Sequence, residues 1–183
     1  MLPITTTLAR IRAHHPCEDG WAKLLAGLGK TKADADPLAY ATILRTNGLA
    51  DALWCCRAEQ QHATIWRMAA VRFARRVQHL TKDPRSIAAI DVAERHAQGL
   101  ATDDELAAAE AAARDVARDV ARDAAGADAR AAAWAAAWAA AGDAAWAAWD
   151  AAFSAGWAAA WDAARDAERE AQTAIFLELV GGE

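Results

Sequence analysis

The chain has 183 residues, 55% of them apolar, with 20 basic and 25 acidic side chains and a net charge of −5. That length suits one ordinary domain or a domain with an extension. Abundant alanine with only four prolines leaves long runs of strong helix former and points to an all-α fold; no run of about 18 strongly apolar residues exists, which argues against a membrane span.

The charge is divided unevenly. Residues 1–99 carry a net +5 and residues 100–183 a net −10. A split of this kind marks two parts with different electrostatic partners, or two parts that attract each other.

In chain order, ITTTLARIRAH at 4–14 predicts a first helix with Leu8 and Ile11 on one side, ended by Pro16. EDGWAKLLAGL at 18–28 places Trp21, Leu24, Leu25 and Leu28 at helical spacing, with Gly29 as the stop. Asp36-Pro37 predicts the start of a third helix, with Asp at the N-cap and Pro at the first helical position, running to Asn47-Gly48. LADALWCCRA at 49–58 reads as a short helix. HATIWRMAAVRFARRVQHL at 62–80 has the clearest pattern. It has an apolar stripe of Trp66, Ala69, Ala70, Phe73, Val77 and Leu80, and a basic stripe of Arg72, Arg75, Arg76 and His79. Asp83-Pro84 repeats the Asp-Pro device, and Gly99 ends that helix.

At 99–102 the composition changes. Thr102 and Glu105 form a capping box, and alanine dominates from there on. RDVARDVARD at 114–123 sets Asp115 with Arg118 and Asp119 with Arg122 as i,i+3 pairs. Gly126 and Asp128 read as stop and restart, and Gly142 and Gly156 as weaker breaks. The expected organisation is a compact helical domain at 1–99. It is followed at 100–183 by a long-helix hairpin or three-helix layer rich in Ala and Trp.

Six of the nine tryptophans lie at 134–161. On a straight helix this stripe drifts, with Trp161 opposite Trp134. Two successive eleven-residue units, starting at Trp138 and Trp149, fit it better and imply a nearly straight pairing. The main expectation is a core in which alanine lets helices approach and tryptophan fills the gaps. Asp143, Asp150 and Asp162 interrupt the track and oppose a membrane-surface reading, which needs a basic polar face.

No phosphate loop, zinc-protease motif, Cys-x-x-Cys pair or nucleophile elbow is present, so no catalytic residue, metal or cofactor is expected. His14, His15, Cys17, Cys55, Cys56 and His62 have irregular spacing for zinc, and cysteine on an apolar helix is usually a small core residue. Three cysteines with an adjacent pair do not make a secreted framework. The opening MLPITTTLARIR lacks the features of a signal peptide. The expected setting is the reducing cytoplasm of a bacterial or phage-infected cell.

PCEDGWAKLL, NGLADALWCCRA and RFARRVQHLTKDPRSIAAIDVAERHAQG, taken with the Ala/Trp/Asp/Arg tail, are familiar together. The combination resembles an immunity-protein-like family of Ala/Trp-rich helical proteins found in bacterial and phage genomes. The resemblance covers most of the chain and is most specific at 83–99. It implies an all-α fold and a role as a binder of another protein, without established catalytic residues. The leading expectation is a non-enzymatic inhibitor or immunity protein. Its partner would be a protein effector, either a toxin or a bacterial defence system such as a CRISPR complex antagonised by a phage. The expected binding residues are Trp157, Trp161, Asp150, Asp162 and Asp166. One alternative is a nucleic-acid-binding module using Arg72, Arg75, Arg76, Lys82 and Arg85. Another is a helical self-assembly in which the tryptophan stripe pairs with a second copy.

Overall fold

Thr5–Thr6 (β1) and Leu38–Ala39 (β2) pair antiparallel, Thr5 opposite Ala39 and Thr6 opposite Leu38. Among the described residues this minor two-stranded sheet is the exception in an otherwise all-α fold. The computed structural model describes residues 3–122, 127–141 and 162–181. The chain divides into two compact units, Met1–His62 with Phe176–Glu183, and Ala63–Ile175.

The first unit holds α1 (Leu8–Ala13), α2 (Glu18–Gly27), α3 (Tyr40–Asn47) and α4 (Leu49–Cys55), with short 3₁₀ turns at Cys56–Ala58 and Gln60–His62. The strand pair corrects two expectations. The first helix starts at Leu8 rather than Ile4, because Thr7 caps it by accepting from the Arg10 N–H, while Thr5 and Thr6 are drawn into the ladder. The third helix starts at Tyr40 rather than at Pro37, because Leu38 is buried in the extended conformation opposite Thr6. Gly48, at φ +93, ends α3 as expected.

Tyr40 joins several segments of this unit. Its N–H donates to Ile4 O at 3.3 Å and its hydroxyl to Cys55 O at 2.9 Å. Its ring meets Phe176 edge-to-face at 6.2 Å. Both rings are fully buried, and the Ile4 N–H donates to Val180 O at 2.9 Å.

The second unit contains α5 (Ala63–Val77), a 3₁₀ turn at Gln78–Leu80, α6 (Pro84–Ala97), α7 (Asp103–Arg122), α8 (Ala127–Ala141) and the 162–175 part of α9 (Asp162–Val180). On α5 the predicted stripe is buried at Trp66, Ala69, Ala70, Phe73 and Val77. The composition change at 99–102 falls inside this unit, so the contacts do not divide the chain at 99/100. The reason is that α6 buries Ala89, Ile90 and Ala93 and packs on α7 and α8.

Helix α8 packs on α5, α6 and α7. Ala131, Ala132, Ala133, Ala135, Ala136, Ala137 and Ala139 are all buried, while Trp134 and Trp138 are half-buried and stacked at 5.8 Å. Val116 and Ala117 of α7 pack with Ala133, and Trp134 lies against them. A methyl surface on several sides lets neighbouring backbones approach closely, and the indoles fill the wider gaps. The eleven-residue units beyond Ala141, with Gly142, Gly156, Trp146 and Trp149, lie outside the described residues.

The caps follow their local sequence. Asp83 accepts from the Arg85 N–H at 2.8 Å, with Pro84 in the first turn. The Glu105 N–H donates to Thr102 Oγ1, and the Thr102 N–H returns a bond to Glu105 Oε2, which is a reciprocal capping box. Gly99, at φ +75, closes α6, with Leu100 N–H donating to Arg95 O and Gly99 N–H to His96 O, the paired bonds of a Schellman ending.

Two predictions follow from these contacts. Ala136→Leu forces four carbons' worth of side chain where one fits and should cost about 1–3 kcal/mol, read as a lower urea midpoint at unchanged slope. The Arg85 hydrogen bond holds Asp83 below its ordinary pKa, and the Thr102 N–H does the same for Glu105. A carboxylate with a depressed folded pKa adds stability above its unfolded pKa and loses it as pH falls through the folded value. Stability should therefore decline below about pH 4–5, and an Asp83→Asn/Glu105→Gln variant should show a shallower decline in denaturant titrations.

Candidate functional site

The expected basic stripe lies on α5 and the start of α6, and most of its charge has a partner. Arg75 reaches Asp91 at 2.7 Å and Glu94 at 2.6 Å, both on α6. Arg76 donates to both oxygens of Glu168, at 2.9 and 2.7 Å. Glu168 is 5% exposed and also accepts from Gln172 Nε2. Arg85 pairs with Asp83 at 2.9 Å and lies 3.6 Å from Asp119. Arg72 is half-buried, and Lys82 is exposed. On α6, Asp91 and Glu94 face Arg75, while His96 bonds to Asp103 at 2.8 Å and approaches Arg67 at 3.4 Å.

Of the residues expected to meet a protein partner, Asp166 is exposed on α9 and Asp162 is the first residue of that helix. Asp150, Trp157 and Trp161 lie outside the described residues. No group of three His, Cys, Asp or Glu among the described residues could hold a metal ion. Cys17 is exposed, while Cys55 and Cys56 are buried. No helix among the described residues is long and apolar enough to cross a membrane.

A site that sequence reasoning missed is a cavity of about 310 Å³ in the first unit. Helix α1 contributes Ile11, and the link into α2 contributes His15, Pro16 and Cys17. Gly20, Trp21 and Leu24 come from α2, and Ile43 and Asn47 from α3. Asp51, Trp54 and Cys55 come from α4. His15 turns the chain into this wall with φ +54, a left-handed conformation rare outside glycine.

Each wall has a local reason. Helices α2 and α3 approach closely because Gly27 has no side chain, and a Cβ there would overlap Thr46 Cγ2. At the cavity, a Cβ on Gly20 would stand 3.0 Å from Cys17 Sγ and 3.1 Å from Asp51 Oδ2, so glycine keeps this stretch of α2 open. Asn47 ties the walls together, its Nδ2 donating to Gly20 O and to Asp51 Oδ2, both at 2.8 Å. Its Oδ1 is buried without a hydrogen-bond partner.

The aromatic residues are half-buried and carry cations. The Arg12 guanidinium lies over Trp21 at 5.4 Å and that of Arg57 over Trp54 at 4.4 Å. Arg57 is held in place by donating through Nε to Trp54 O at 2.8 Å. Burial pushes the Cys55 thiol up to about 12, with the Asp51 charge adding to the shift, so it stays protonated and is a poor nucleophile. The cavity therefore offers an apolar floor, two indoles, one carboxylate, the His15 imidazole and the Cys17 thiol, a composition suited to binding.

No family model, curated protein or solved structure matches the chain.

The Arg76–Glu168 pair can be separated from surface charge by mutation. Arg76→Ala leaves a buried carboxylate without its guanidinium and should cost about 2 kcal/mol, within the range for charged hydrogen bonds, whereas Lys82→Ala should change stability by less than about 0.5 kcal/mol. Paired urea titrations read both values.

Proposed function

We propose that this protein is a non-enzymatic binding protein whose partner is another protein. In this reading it inhibits a toxin or a bacterial defence effector, including a CRISPR complex antagonised from a phage genome, as its resemblance to immunity-like helical proteins implies. The observation that carries the proposal is the α1–α4 cavity, in which half-buried Trp21 and Trp54 are each overlaid by an arginine. Tryptophan and arginine are the residue types that dominate protein-binding hot spots, and a preformed pocket between them accepts an anchoring side chain at little conformational cost. The acidic second half of the sequence adds long-range steering toward a basic partner surface.

The arginine-stripe alternative has less support. Arg75, Arg76 and Arg85 already have carboxylate partners, and a phosphate would have to displace them before counterion release could favour binding.

Affinity capture with the full chain, from bacterial hosts carrying and lacking defined defence systems, tests the proposal. The wild type and Lys82→Ala should retain one effector, and the purified protein should inhibit that effector's activity. Trp21→Ala/Trp54→Ala should weaken capture by at least about 30-fold, the loss expected on removing a hot spot. Equal capture by this double variant, with its helical content intact, would remove the cavity from the binding surface.

A further inference from the structure

The cavity also specifies the chemistry of its occupant. We infer that the α1–α4 cavity binds the cationic end of a lysine or arginine side chain, with Asp51 receiving the charge and the apolar floor receiving the alkyl stem. This rests on the protein-binding reading above and adds to it the identity of the anchor.

One carboxylate, Asp51 of α4, sets the sign. Asp51 Oδ2 is fixed by the Asn47 amide N–H, and that same amide group donates to Gly20 O. Both bonds use Nδ2, so the orientation of the amide is determined by its neighbours, and Oδ1 is the atom left buried without a partner. Asp51 contributes the carboxylate, and no other acidic residue lines the cavity among the described residues. The carboxylate accepts hydrogen bonds and cannot donate one to a carboxylate or phosphate, and both Nδ2 protons of Asn47 are already used. A ligand that pairs with Asp51 must bring N–H donors, and a positive charge in the ligand matches it.

The remaining walls select a long stem. Ile11, Leu24 and Ile43 form the apolar surface, and the protonated Cys55 thiol adds a soft, nearly neutral contact. Trp21 and Trp54 flank it and add apolar surface, each with an arginine guanidinium over its ring. Arg12 and Arg57 do not line the cavity. Lysine and arginine combine an alkyl stem with a terminal donor cation, and such side chains bury the stem while the head keeps its polar partners.

Titration of the ¹⁵N-labelled full chain with blocked amino acids, read at the indole signals of Trp21 and Trp54, tests the inference. N-acetyl-lysine methylamide or its arginine counterpart should bind at least about tenfold more tightly than the neutral norleucine compound. Asp51→Asn should abolish that difference, as expected for loss of a charge-assisted hydrogen bond. Equal binding of the norleucine compound, preference for the glutamate compound, or an unchanged preference in Asp51→Asn would overturn it. Tighter binding of free butylamine than of blocked lysine would overturn the assignment to a protein side chain and indicate a small-amine site.

The two proposals fail separately. Capture lost in the tryptophan double variant but retained in Asp51→Asn leaves the protein-docking site standing and removes the cationic anchor. Asp51-dependent amine binding, with capture unaffected by the tryptophan changes, removes the partner's side chain as the occupant.

Discussion

The buried Tyr40 hydroxyl joins the end of α4 to the start of α3 by donating to the Cys55 carbonyl. That bond orders the first unit. Cys55 ends an α-helix that passes directly into a 3₁₀ turn, and its carbonyl is deep enough that an absent donor would be costly. Burial holds the Tyr40 phenol well above its ordinary pKa, so it remains a donor. Its N–H connects to Ile4 and its ring to Phe176, so one residue registers the strand pair, the α3–α4 corner and the last turn of α9. Every residue that α3 and α4 give to the cavity, from Ile43 to Cys55, is placed by that corner.

The second unit depends on side-chain volume. Along α8, methyl groups allow α5, α6 and α7 to pack on one helix, and the Trp134–Trp138 stack occupies the space that alanine cannot. Alanine adds little hydrophobic area per residue, so close packing must supply the cohesion. The arginines of α5 act at the edge of this arrangement. Arg75 reaches α6 and Arg76 reaches α9, and the second contact joins residues 92 apart in sequence. Their role in packing explains why a stripe that resembles a phosphate-binding face is largely neutralised.

The site and the scaffold treat charge differently. Several carboxylates elsewhere in the fold have nearby partners, as at Lys30 with Asp34 and Asp36, or at the capped ends of α6 and α7. At the α1–α4 cavity the Asp51 carboxylate has the Asn47 amide for a neighbour, and the amide oxygen beside it has no donor. Trp21 and Trp54 were legible only as apolar positions at helical spacing. Nothing in their local sequence distinguishes an indole that lines a cavity from one that fills a core, since that depends on what the other helices leave uncovered.

The sequence by itself determined the features set by interactions over about five residues. The buried stripe of α5, the Asp83-Pro84 start, the Thr102–Glu105 box and the glycine stops at 29, 48 and 99 all involve a residue and neighbours within a turn or two, so spacing and residue type suffice. Only the tertiary structure decided the rest. The same kind of Asp-Pro signal that starts α6 leads, at Asp36-Pro37, into the strand Leu38–Ala39, because Thr5 and Thr6 offer a ladder more than thirty residues away. The change in composition at 99–102 does not separate the compact units, because α6 is buried against α7 and α8. The cavity draws on residues 11 to 55, from four helices that meet only in the folded chain. Such outcomes depend on contacts between distant segments, whose geometry no local pattern contains.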